Sequence, residues 1–219
     1  MAVRICRWGN ETGAALLLVI MLVLVLGAIG AAVSVASRTE TLIAANFRQG
    51  RETLYVSEAA LAQAVHDLAA QSDWSTVLAG GAVSSFTDGA AIGQRTLPGG
   101  DVVTLCCGPP SLTSDVQERA LGGRSWGADT PVWQMFAWGR AADWLPAGRI
   151  DSAMYVVVWV ADDPEDGDGN AAIDSNGVIL LHGHALGPRG GRQVIDAAIG
   201  RDTPAPAPVR IISWREGRW

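Results

Sequence analysis

The sequence predicts an α+β protein in which one long amino-terminal helix, membrane-spanning in its first half, packs along its second half on a mainly antiparallel β-sheet. Three observations predict this. Residues 14–37 carry no charge. Residues 38–71 hold no proline and place apolar side chains at helical spacing. Beyond Ser72, β-branched and aromatic runs alternate with turns rich in Gly, Asp and Pro. The expected divisions are a short polar leader at 1–13, a transmembrane helix at 14–37, its amphipathic continuation at 38–71 and a globular β-rich domain at 72–219.

Each element has its own warrant. The run AALLLVIMLVLVLGAIGAAVSVAS, as a helix rising 1.5 Å per residue, spans roughly 36 Å and crosses a hydrocarbon core of about 30 Å with some tilt. A secretory signal peptide has a shorter apolar region with a small-x-small cleavage site behind it. Here the attractive cut site, Thr12-Gly13-Ala14, lies in front of the run, so cleavage leaves the apolar segment on the mature chain. Arg4 and Arg7 precede the run, which keeps the leader cytoplasmic and exports the rest. In the continuation, Phe47, Leu54, Leu61 and Leu68 recur every seven residues and Val65 joins Leu61 on the same face. Gly27, Gly30 and Gly50 are its weak points, each costing about 1 kcal/mol relative to Ala.

Further along, strands are expected at Asp101–Cys107, Val132–Trp138, Ala153–Val160, Gly177–Leu186, Gln193–Ile199 and Val209–Trp214. The segment MYVVVWV at Met154–Val160 is apolar on both faces, which places it inside the sheet and away from its edge. The Pro-rich TPAPAP that precedes Val209 cannot be helical and is expected to run over the surface.

Composition excludes some functions. The chain of 219 residues has a net charge of −6 and no lysine. Removing residues 1–13 leaves fourteen arginines against twenty-one acidic residues. An exported acidic domain lacks the clustered positive charge that non-specific nucleic-acid binding requires. Cys6 lies in the leader, whereas Cys106 and Cys107 fall in an oxidising compartment. Adjacent cysteines can close only an eight-membered ring, and there is no third exported cysteine. A vicinal disulfide and two free thiols both fit.

The candidate chemistry concentrates in ADDPEDGDGNAAIDSNG at 161–177. Asp166, Asp168 and Asn170 occupy positions one, three and five of a D-x-D-x-N pattern, and Asp174 falls at position nine. Alternating oxygen donors let a loop wrap a hard cation at 2.3–2.6 Å, which is what Ca²⁺ requires. Asp162, Asp163 and Asn176 could add oxygens. Position twelve is Gly177 where an EF-hand has Glu, so a solvated acidic hairpin loop is the competing reading. His182-x-His184 puts two imidazoles on one face of a strand. Two ligands are too few for zinc, so both are read as structural. Trp133 and Trp159 are expected in the core; burial is the default reading for Trp126, Trp144 and Trp219 too, with an exposed interaction surface as the alternative. No nucleophile elbow, zinc-protease, phosphate-loop or dinucleotide pattern is present, and no enzymatic activity is expected.

The amino-terminal region resembles the minor type IV pilins of the PilX kind. The resemblance rests on Gly13-Ala14-Ala15-Leu16-Leu17-Leu18 opening the helix, on Asn46-Phe47, and on Ser57-Glu58-Ala59-Ala60-Leu61-Ala62; it is strong over residues 9–70 and only general beyond. It implies cleavage after Gly13 and methylation of Ala14 by prepilin peptidase, and Leu16–Ser37 as the anchoring and fibre-packing segment. Most pilins carry glutamate as the fifth mature residue, a carboxylate that is costly in the membrane unless paired. Here that position is Leu18. A subunit without this contact suits a fibre end more than a repeating shaft. The resemblance therefore implies an inner-membrane protein with a periplasmic domain that reaches the pilus tip. Its implied partners are inner-membrane lipid, other minor pilins, the major pilin and a tip adhesin. The tip pseudopilin of type II secretion shares the missing glutamate but usually carries a large helical insertion, for which this chain is short. A signal-anchored, calcium-stabilised surface-binding protein is the remaining alternative.

Overall fold

The computed structural model describes residues 12–122, 127–146, 152–202 and 207–217. The leader's Cys6, together with Trp126, Trp219 and most of the Pro-rich spacer, lies outside the described residues. The chain falls into two compact units, Met1–Arg48 and Gln49–Trp219.

Helix α1 runs from Thr12 to Ala69, without a break at Gly27, Gly30 or Gly50. In the first unit every described residue from Gly13 to Ala44 is exposed. Leu16–Leu26 are all large and apolar, and none is less than 48% exposed. The hydroxyls of Ser34, Thr39 and Thr41 donate to the carbonyls of Gly30, Val35 and Ser37, one turn back. Such back-bonding satisfies a polar side chain without any outside partner.

The second unit is built on a five-stranded antiparallel meander. Its strands are β3 (Gln134–Arg140), β4 (Tyr155–Asp162), β5 (Val178–Leu186), β6 (Arg192–Gly200) and β7 (Arg210–Gly217), in that spatial order. Shorter elements precede and interrupt it: α2 (Trp74–Leu78), the hairpin β1 (Gln94–Thr96) and β2 (Val102–Thr104), α3 (Leu112–Leu121) and α4 (Ala141–Trp144). β4 has neighbours on both sides and is buried throughout. That is why MYVVVWV is apolar on both faces: Val156, Val158 and Val160 join the core layer shared with α1. Tyr155, Val157, Trp159 and Ala161 point the other way, into a layer closed by Leu112 and Val116 of α3 and by Leu97 and Leu105.

The part of α1 in this unit buries a face of mostly small residues: Thr53, Val56, Ser57, Ala60, Leu61, Ala64 and Leu68. The expected stripe of Phe47, Leu54, Leu61 and Leu68 is therefore corrected. Phe47 is exposed and Leu54 only half-buried. The reason is close approach to the sheet. A Cβ on Gly183 of β5 would lie 1.8 Å from Leu61 Cδ1, so the strand gives up a side chain where the helix lays down Leu61. Small helical residues around Leu61 bring the backbone near enough to use that gap.

Two further contacts fix the helix. The Asp67 carboxylate accepts from Gln63 Nε2 at 2.9 Å, Ser85 N at 2.7 Å, Ser85 Oγ at 2.8 Å and Ser84 Oγ. Burial alone would raise its pKa, but these donors outweigh it and hold the pKa below the usual value. At the carboxy terminus Arg201 lies 4.2 Å over the Trp74 ring and donates to the carbonyls of Gln71 and Ser72. A guanidinium there answers the negative end of the helix.

Several expected boundaries shift. The strand expected at Asp101–Cys107 shortens to Val102–Thr104, the length over which it pairs with the three-residue β1, and beyond it Cys107 takes a positive φ of 76°. Cys106 and Cys107 are joined as a vicinal disulfide. β3 begins after Trp133, which is nevertheless buried. Trp144 is half-buried and stacks on Phe86 with ring centroids 4.7 Å apart. Helix α3 was not expected. Ser111 caps it through Ser114 N at 3.1 Å, and Gly122 closes it in the left-handed conformation at φ 51°.

Candidate functional site

Two regions carry the predicted functional residues: the amino-terminal end of α1, and the loop 163–177 between β4 and β5.

At the first, Gly13 and Ala14 lie in the opening turn of α1 and both are exposed, with nothing within 4 Å of where a Gly13 Cβ would stand. The leader residues before Thr12 lie outside the described residues. Leu18 is 69% exposed. Within α1 the segment beginning at Gly13 is long and apolar enough to cross a membrane, and its most apolar stretch has no buried residue. Continuous apolar surface of this kind exceeds what a soluble monomer leaves in water. The helix is thus compatible with a membrane anchor or a signal sequence.

At the second, the strand period determines which acidic residue is buried. Asp162 ends β4 with the same parity as Val158 and Val160, so its side chain is drawn inward and only 1% of the residue is exposed. Gly167, Gly169 and Gly177 adopt positive φ values of 69°, 77° and 76°, which lets the following loop double back on itself.

Most acidic side chains of the loop are occupied by its own backbone and side chains. Asp163 accepts from Glu165 N at 2.9 Å and Asn176 Nδ2 at 3.1 Å. Asp166 accepts from Ser175 N at 2.8 Å and from the Ser175 hydroxyl. Asp168 Oδ1 accepts from Asn170 N at 2.7 Å, and Asn170 Oδ1 from Ala172 N at 3.1 Å. Asp174 Oδ1 takes Gly177 N at 2.7 Å and Val178 N at 3.1 Å, closing the loop onto β5. The loop also docks outward. Gly169 N donates to Asp129 Oδ1 at 2.6 Å, and Asp174 N to Ser75 Oγ of α2 at 3.2 Å.

Asp162 stands apart from them. Neither carboxylate oxygen has a hydrogen-bond partner, and both are sealed from solvent. Desolvation is the largest influence on it, and Asp166, Asp174 and Asp168 add repulsion. The neighbouring Asp163 N–H, which does not reach hydrogen-bond geometry, offsets this only in part, and the pKa is pushed up to about 7. Ligand oxygens of Asp162, Asp166 and Asp168 lie within 4.8 Å of one another. Of the four residues singled out by the D-x-D-x-N pattern, Asp166 and Asp168 thus join this group. Asn170 and Asp174 serve as the loop's own clasps. Asp162, noted in the sequence only as a further oxygen donor, is its buried member.

The histidines sit on the opposite face of the sheet. His182 Nδ1 lies 2.7 Å from Asp196 Oδ1, and Arg215 Nη2 donates to Asp196 Oδ2 at 3.1 Å. His184 is wholly buried, with its ring 6.3 Å from that of His182 and 6.4 Å from that of Trp159. Burial, then the positive potential of His182, Arg192 and Arg119, lowers its pKa to about 3. It is a neutral imidazole at physiological pH.

Comparison of the chain with protein-family models, with curated proteins and with solved structures finds no match.

Proposed function

We propose that this protein is a minor pilin of the PilX kind, which primes type IV pilus assembly or occupies the pilus tip. It acts structurally, not catalytically. Prepilin peptidase removes the leader after Gly13, and the processed subunit waits in the inner membrane with its β domain in the periplasm. It then enters a complex with other minor pilins, and through them with the major pilin, by packing of the apolar half of α1. The observation that carries this reading is one helix with two characters. It opens at the Gly13-Ala14 junction, exposes large apolar side chains on every side from Leu16 to Leu26, and ends by burying one face against an antiparallel sheet. Without a glutamate at position 18, the subunit lacks one contact expected within a fibre shaft, which favours an end position.

Deleting the gene tests the role. Surface pili should fall while the major subunit remains in the membrane, and re-expression of the intact chain should restore them. Normal piliation with loss of protein secretion would instead assign the chain to a type II secretion pseudopilus.

A further inference from the structure

We infer that Asp162, Asp166 and Asp168 form a binding site for a hard divalent cation of the calcium class. The inference does not depend on the pilin reading. Its first support is distance. Two oxygens on one Ca²⁺, each at 2.3–2.6 Å, stand no more than about 5.2 Å apart, and the three carboxylates offer oxygens within 4.8 Å of one another. A cluster of acids alone would not suffice, since exposed carboxylates gather in many loops without an ion.

The second support is Asp162 itself. A buried carboxylate is costly unless it is paired or hydrogen-bonded, and the chain supplies such partners elsewhere. Asp67 receives donors from three residues. Within the loop, Asp163, Asp166, Asp168 and Asp174 each accept at least one hydrogen bond. Asp162, at the end of β4, is more buried than any of them, and neither of its oxygens has a partner at hydrogen-bond geometry. Apart from the neighbouring Asp163 N–H it faces two more carboxylates. What complements three converging carboxylates is positive charge from outside the chain. An all-oxygen set selects a hard cation over zinc or copper.

The position gives the ion a task. Asp162 is the last residue of β4, while Asp166 and Asp168 lie in the loop leading to β5. A cation across them would tie the loop to the strand end, while Asp129 and Ser75 hold its outer side.

The test uses the full-length chain in detergent micelles, stripped with EDTA and titrated with CaCl₂ by calorimetry and by thermal unfolding. One ion should bind. The melting temperature should rise by about 5–10 °C at a calcium concentration a hundredfold above Kd. Asp162→Asn should abolish the calcium response and melt higher than the wild type in EDTA, because it removes an unpaired buried charge. Asp168→Asn, at an exposed position that keeps its turn, should weaken binding about tenfold by removing one ligand charge. It also decides the matter if the Asp162 variant does not fold. No heat and no melting shift up to about 10 mM calcium, a concentration beyond weak extracellular sites, overturns the inference. So does wild-type affinity in Asp168→Asn.

Discussion

The two halves of α1 share a backbone and differ in what their side chains meet. From Gly13 to Ala44 the helix buries nothing, although its composition is the more hydrophobic of the two. From Thr53 to Leu68 it buries a face made largely of Thr, Ser and Ala. Hydrophobicity alone would have ranked them the other way. In the second half, burial follows from fit: small helical residues and the missing side chain at Gly183 let helix and strand approach, and Leu61 fills the gap. In the first half, the apolar surface has no counterpart among the described residues of its own unit, as a membrane anchor or a signal sequence would show. Helical packing in lipid depends on such close fit, since burial from water no longer drives it.

The comparison is broken most severely by Leu61→Ala. Removing a fully buried leucine should cost about 3 kcal/mol, whereas Leu18→Ala should change the same unfolding transition by less than about 0.5 kcal/mol. Tryptophan fluorescence of the full chain in micelles reads both, and equal losses would contradict the division. Gly183→Ala tests the fit from the other side. Its new methyl meets Leu61, and overpacking should cost about 2 kcal/mol. The double variant Gly183→Ala/Leu61→Ala should be more stable than the sum of the two losses predicts. Additivity would mean that the two positions do not meet.

A smaller effect concerns the opposite face of the sheet. His184 has a folded pKa of about 3, below its unfolded value near 6.5. The unfolded chain therefore binds a proton that the folded chain refuses. The stability this group permits is complete above pH 6.5 and is lost as the pH falls towards 3. At pH 5.5 the loss relative to neutral pH is about 1.2 kcal/mol. Measured as the difference between the wild type and His184→Gln, which cancels every other titrating group, the loss should be confined to the wild type. Parallel pH profiles would show that His184 accepts its proton in the folded state.

Much of this architecture was legible in the sequence because it rests on strong periodic signals. The helix from Thr12 to Ala69 and the five main strands follow from charge-free length, absence of proline and β-branched runs. The interior place of β4 follows from its two apolar faces. What the sequence left hidden depends on pairs of residues distant in the chain. The buried face of α1 centres on small residues, which carry almost no hydrophobic signal, and its position is decided by a glycine more than a hundred residues away. Helix α3 has its signals locally, in the Ser111 cap, the Leu112 and Val116 pair and Gly122. They are compressed between a double proline and a glycine-rich stretch. In the acidic loop, the spacing of Asp166, Asp168, Asn170 and Asp174 marked the region but not the roles within it. Strand parity made Asp162 the buried member, and loop closure engaged Asp174 with backbone amides.

The most direct measurement is mass spectrometry of the mature amino terminus, from native membranes with and without active prepilin peptidase. A peptide beginning at N-methyl-Ala14 only when the peptidase is active is the predicted result. An intact leader under both conditions would contradict the pilin reading and return the chain to the signal-anchored class.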